Sequence, residues 1–201
     1  VIMYIHGKGG NSNEAIHYKM LFKDYDVIGL DYKGNTPWEV KVEIEQTIDQ
    51  LKKNYEHIII IANSIGAYYA LNSDIKVSHA YFISPIVDME KMIKDMMKWA
   101  HVTEDRLKKD KIIHTEFGED LSWDYLSYVR KHPINWLIST DILCGENDAL
   151  ISIETINKFI EEHEATLTIM KEGEHWFHTK EQMAYLDKWI KGKNNEYTFR
   201  K

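Results

Sequence analysis

With 201 residues, 44% of them hydrophobic and 28% charged, the chain can build one sizeable core and has the make-up of an ordinary globular protein. Its 25 basic and 32 acidic residues leave a formal net charge of −7, and no Lys/Arg run offsets it, which argues against nucleic acid as a partner. The single cysteine, Cys144, excludes an internal disulfide, and the longest apolar runs, such as residues 58–62, are too short to span a membrane. No leader segment is visible, although a start at Val1 leaves room for one. A cytoplasmic location is the default expectation.

In chain order, six short apolar or β-branched runs are predicted strands: residues 1–6, 25–31, 57–63, 80–84, 138–144 and 166–170. Runs this uniformly apolar are buried on both faces, as in a parallel sheet covered by helices. The intervening stretches carry helix start signals. Asn11 with Glu14 makes a capping box before Ile16, Met20 and Leu21. Thr36-Pro37-Trp38-Glu39 opens a helix whose Val40, Ile44, Ile48, Leu51 and Tyr55 share a face. Ser152 caps a helix carrying Ile156, Phe159, Ile160 and His163. Thr179 with Gln182 opens a last one, carrying Met183, Leu186, Trp189 and Ile190, that stops near Gly192 before a loose polar tail at 193–201.

Residues 88–135 break the alternation. Met92, Met96, Met97, Trp99, Leu107, Trp123, Leu126 and Tyr128 predict helices in a segment too long for a crossover and too apolar for a linker. The expected architecture is a single α/β domain over residues 1–201. It has a doubly wound, mostly parallel sheet of about six strands and a helical cap insertion at about 88–135.

The chemistry-bearing residues fall at strand ends. Ala62-Asn63-Ser64-Ile65-Gly66 is a small-x-Ser-x-Gly turn between a strand and a helix, which projects a serine hydroxyl off the sheet edge. A serine that only caps the helix is the plainer alternative. His6-Gly7-Lys8-Gly9-Gly10 follows the first strand, and its N–H groups are suited to form half of an oxyanion hole, Lys8 acting with Ile65. A flexible loop is the alternative there. Gly7-x-Gly9 followed by Asp31 also imitates a dinucleotide fingerprint, but Ser12 stands where the third glycine belongs.

After the fifth strand, Asp148 in Gly145-Glu146-Asn147-Asp148 is placed to orient a histidine; a simple turn aspartate is the alternative. After the sixth, His175 is placed to act as a base, ahead of His178, which adjoins the helix start. Two histidines without further ligands make a poor metal site. Cys144, inside an apolar run, is a buried small hydrophobe.

Taken together, these segments resemble the α/β-hydrolase superfamily over nearly the whole chain. Residues 6–8 resemble its oxyanion loop, 62–66 its nucleophile elbow with Ala62 for the usual first glycine, 145–148 its acid turn and 173–177 its histidine loop. Residues 84–89 resemble the segment where many members leave the sheet for a cap, and the family's usual two further opening strands are missing.

The resemblance implies acyl transfer to water through a serine ester: Ser64 as nucleophile, His175 as base, Asp148 orienting it, and the Lys8 and Ile65 N–H groups holding the oxyanion. A small-molecule carboxylic ester is the expected substrate, with no cofactor and no metal. The alternatives are a thioesterase or amidase on the same residues, and a non-catalytic or dinucleotide-binding module. Trp99, Trp123, Tyr125, Tyr128 and Trp136 are expected either to form an apolar pocket or simply to pack the cap.

Overall fold

The computed structural model describes the backbone of residues 1–199 and the side chains of residues 1–197. Six strands form one sheet: β1 (Ile2–Ile5), β2 (Val27–Gly29), β3 (Ile59–Asn63), β4 (His79–Ile83), β7 (Thr140–Gly145) and β8 (Ala165–Met170). They lie in the order β2-β1-β3-β4-β7-β8, with every neighbouring pair parallel. All residues of β1, β4 and β7 are buried, as two-sided coverage requires.

The helices of this unit are α1 (Ala15–Leu21), α2 (Pro37–Leu51), α3 (Ile65–Leu71), α7 (Ile153–Glu162) and α8 (Lys180–Phe199). From β1 the chain steps outward to β2, then back past β1 to β3. With right-handed crossovers this reversal puts α1 and α2 on opposite faces, and the crevice between β1 and β3 opens at the strands' carboxyl ends. One face is sealed by Ala15 and Tyr18 of α1 with Leu186, Trp189 and Ile190 of α8, packed on Ile2, Tyr4, Ile59, Ile61, Tyr81 and Leu143. The alternate residues Met3, Ile60, Phe82 and Ile142 point the other way and are equally buried.

The start signals act as their chemistry demands. Thr36 and Glu39 make a reciprocal capping box on α2 with Pro37 at its start, and Ser152 accepts the Thr155 N–H at the head of α7. Asn11 and Glu14 also form their box, but it caps a 3-10 turn, Ser12–Glu14, that leads into α1. That turn sets the phase of α1 so that Ala15, Tyr18 and the following Phe22 face the core, while Ile16 and Met20 are exposed. Of the three residues expected after the box, Ile16 and Met20 thus face outward, whereas Leu21 packs partly buried against the core. The last helix is also longer than expected. α8 passes through Gly192 to Phe199, Asn194 is buried along it, and Arg200 and Lys201 lie outside the described residues.

The chain divides into two compact units, residues 1–87 with 136 onward, and Asp88–Asn135. The second unit contains α4 (Met89–Trp99), α5 (Glu104–Asp110) and α6 (Trp123–Lys131). It also holds an antiparallel hairpin, β5 (Ile112–His114) and β6 (Asp120–Ser122), where helices alone were expected. A turn closed by the Gly118 N–H on the Thr115 carbonyl makes the hairpin. Arg130 ties this unit together, with Nε on Glu90 at 2.9 Å and a fork on Glu104 at 2.7 and 2.8 Å. Among the described residues, no helix is long and apolar enough to cross a membrane.

Candidate active site

Strand β3 ends at Asn63 and α3 begins at Ile65, so Ser64 alone must turn the chain. It does so at φ 51° and ψ −117°, a backbone region that side chains other than glycine rarely occupy. The strained residue is tied on both sides. Its N–H donates to the Ile83 carbonyl at 2.9 Å, and its carbonyl accepts from Ala67 at 3.1 Å and Ile86 at 3.2 Å. Gly66 makes the turn possible, because a Cβ there would lie 2.5 Å from the His6 carbonyl oxygen and 2.6 Å from that of Ile5.

The acid turn and the histidine loop are locked to each other. Glu146 N–H donates to the Met170 carbonyl at 2.9 Å and Asn147 N–H to the Gly173 carbonyl at 2.7 Å. A Cβ on Gly145 would sit 2.4 Å from the Gly173 carbonyl group, so only glycine allows this approach. Asp148 is thereby presented to His175. Its Oδ2 lies 2.7 Å from His175 Nδ1, and its Oδ1 accepts from the Leu150 and Ile151 N–H groups, both at 2.9 Å. The Asp148 side chain is only 1% exposed, so these bonds, not water, hold it.

On the other side of the ring, His175 Nε2 lies 2.9 Å from Ser64 Oγ. With the proton on Nδ1 and donated in a hydrogen bond to the carboxylate, Nε2 keeps its lone pair and accepts from the serine hydroxyl. Three residues from three strand ends thus form one hydrogen-bonded chain.

The loop after β1 closes the arrangement. Gly10 N–H donates to the Gly7 carbonyl at 3.1 Å, and the His6 ring stacks on Tyr32 at 4.2 Å while donating from Nδ1 to the Gly7 carbonyl. Tyr32 in turn donates its hydroxyl to the His6 carbonyl at 3.0 Å. Lys8 and Ser64 line the same pocket, of about 720 Å³. Ile65, the other expected oxyanion donor, is the first residue of α3, where an N–H has no acceptor within the helix.

No family model and no curated protein matches the sequence. Solved structures do match. Mouse alpha/beta hydrolase domain-containing protein 10 superimposes over 97% of this chain and 89% of its own, with a TM-score of 0.79 at 14% identity. Est1E from Butyrivibrio proteoclasticus follows over 98% and 87%, at 0.73 and 16% identity. The esterase Pf2001 from Pyrococcus furiosus follows over 99% and 82%, at 0.64 and 21% identity. The chain has the α/β-hydrolase fold.

In this version of the α/β-hydrolase fold, the other expected residues play no part in the cluster. His178 Nδ1 donates to the Trp176 carbonyl at 2.7 Å, and its ring stacks on the Trp176 indole. Asp31, the dinucleotide candidate, is exposed and pairs with Lys33 at 2.8 Å. Cys144 is buried, and burial with the Asp148 charge pushes its thiol up to about 12, so it is inert. Among the described residues no three His, Cys, Asp or Glu side chains converge on a point that could hold a metal ion.

The pocket beside Ser64 has Tyr4, Tyr18, Trp176 and Phe177 as its aromatic walls. Of the aromatic residues expected to line a pocket or to pack, Trp99 meets Phe117 edge-on, Tyr128 stacks on His132, and Trp136 packs on Phe82 and donates to Thr140. Tyr4 and Glu14 also line the pocket, although Glu14 was expected only as a capping residue and Tyr4 only as part of a strand. A phenol in an otherwise apolar strand was the one signal in the sequence, since its partner Glu14 lies ten residues on, beyond the loop.

Proposed function

We propose that the chain is a serine hydrolase that cleaves carboxylic esters of small or medium acyl groups through an acyl-enzyme intermediate. The observation that carries this reading is the continuous hydrogen-bonded chain Ser64–His175–Asp148, at 2.9 and 2.7 Å, beside an open pocket. The likeness in fold to esterases supports the choice of reaction class.

In the first step Ser64 Oγ adds to the ester carbonyl carbon while His175 Nε2 takes the hydroxyl proton. The negative charge moves to the carbonyl oxygen, where the Lys8 and Ile65 N–H groups receive it. The alcohol then leaves with the proton held on His175. Water, activated by the same nitrogen, next adds to the acyl-serine and releases the acid. Asp148 stays ionised throughout and holds the imidazolium in place. The sequence of steps needs no cofactor.

The test is a substrate series on wild type and Ser64→Ala, using p-nitrophenyl esters of rising chain length with one matched thioester and one anilide. The expected result is turnover that peaks at short or medium esters, exceeds that of the anilide, and falls by orders of magnitude in Ser64→Ala. Faster turnover of the thioester moves the reading to a thioesterase. Equal rates in both proteins overturn it.

A further inference from the structure

The pocket that holds Ser64 contains a carboxylate that takes no part in the three-residue cluster. Glu14 Oε2 accepts the Tyr4 hydroxyl at 2.5 Å, and Oε1 accepts the Asn11 N–H at 3.2 Å. Tyr4 is buried in the core, so its phenol is a fixed donor and aims the carboxylate. The carboxylate also lies against the oxyanion loop, since a Cβ on Gly10 would come within 2.6 Å of Oε1. Among the described residues no Lys, Arg or His forms an ion pair with Glu14. The Glu14 charge adds to burial in raising the phenols of Tyr4 and Tyr18, so it is felt across this wall of the pocket.

Fixed negative charge beside aromatic walls is the chemistry that receives an ammonium group: the carboxylate supplies Coulomb attraction, and the ring faces add their quadrupoles. The same charge repels a substrate carboxylate. Glu14 and Lys8, the acidic and basic side chains on the pocket, are both exposed.

We propose that Glu14 is a specificity-determining residue that selects esters carrying an ammonium group on one side of the scissile bond. This deepens the ester-hydrolase reading and rests on it for the word "substrate". The charge preference itself is a binding property and is testable without turnover. Tyr4 is then a positioning residue, acting only through the carboxylate it holds.

The experiment compares the acetate ester of choline with its neutral isostere, in which carbon replaces nitrogen, and with an anionic ester of similar length. Binding is measured by calorimetry on Ser64→Ala and on Ser64→Ala/Glu14→Gln. Gln at position 14 keeps one oxygen for the Asn11 N–H of the capping box, and its amide N–H can donate to the Tyr4 hydroxyl oxygen in place of accepting from it. The expected result is about tenfold tighter binding of the cation than of the isostere, weaker binding of the anion, and loss of that ratio in the Gln variant. An unchanged ratio in the Gln variant, or no preference for the cation, overturns the proposal. Kinetics on wild type with the same esters, together with an amino-acyl p-nitrophenyl ester, then report which side of the bond bears the charge. Retained cation preference in binding with no turnover of any ester would overturn the hydrolase reading and leave the site proposal standing.

Discussion

At Ser64 the backbone is strained and the side chain is engaged, and the two effects can be separated by mutation. A residue other than glycine at φ 51° and ψ −117° costs about 1–3 kcal/mol, which the bonds to Ile83, Ala67 and Ile86 overcome. Ser64→Gly is therefore expected to be more stable than Ser64→Ala by about 1 kcal/mol in urea denaturation, the reverse of the usual order near a helix. Ser64→Ala as the more stable variant would show that the turn is relaxed. Asp148 offers a second single-residue test. Its two N–H bonds from Leu150 and Ile151 survive in Asp148→Asn, but the amide can present an N–H to His175 and stabilise the wrong tautomer. The expected loss in kcat is roughly 10⁴-fold, with little change in thermal stability. A loss below about tenfold would remove Asp148 from the mechanism.

Among the elements, the best-read were those whose ends carry their own chemistry. The Thr36–Glu39 box and the Ser152 cap were legible because the hydrogen bonds involved are local. The inward face of α1 was not, because the 3-10 turn before it shifts the phase and Tyr18 is drawn to Tyr4 on the sheet, 5.1 Å away between ring centres. The β5–β6 hairpin was missed because each strand is only three residues long, too short for a period to show. The continuation of α8 past Gly192 was missed because the glycine was read as a stop, whereas beyond it Tyr197 stacks near His79.

The site elements meet through glycine. At Gly145 a Cβ would strike the Gly173 backbone, so Gly145→Ala is expected to push the Asp148 turn away from the His175 loop. Ester hydrolysis should fall by at least 10²-fold, more than the stability loss of about 1–3 kcal/mol would explain at temperatures where the variant is folded. Unimpaired turnover would mean that the two loops adjust independently.

Across the whole molecule, the sheet gathers its candidate chemistry at one edge and a purely structural charge cluster toward the other. Asp141, at the start of β7, receives His79 Nε2 at 3.0 Å, Lys193 Nζ at 2.9 Å and the Thr166 hydroxyl. Burial alone would raise its carboxyl, but the bonds from His79, Thr166 and Lys193 outweigh it and bring it from an ordinary 3.8 down to about 2. A carboxyl depressed in the folded state stabilises at pH values above its unfolded value and loses that contribution as pH falls through the folded one. Wild type should therefore exceed Asp141→Asn by about 2 kcal/mol at neutral pH, with the difference shrinking between about pH 4 and pH 2. A difference that stays constant down to pH 2 would contradict the ion-pair account. This cluster was invisible in the sequence, because His79, Asp141, Thr166 and Lys193 are distant along the chain and none sits in a motif. The strand set was legible for the opposite reason, since two-sided burial writes itself as continuous apolar runs.

The proposed role of Ser64 as an activated nucleophile is tested most directly by the site of covalent modification by a fluorophosphonate. Wild type should gain a single adduct mass, mapped by peptide sequencing to Ser64. Labelling should disappear in Ser64→Ala and slow strongly in His175→Ala. An unmodified wild-type protein, or an adduct on any residue other than Ser64, would contradict it.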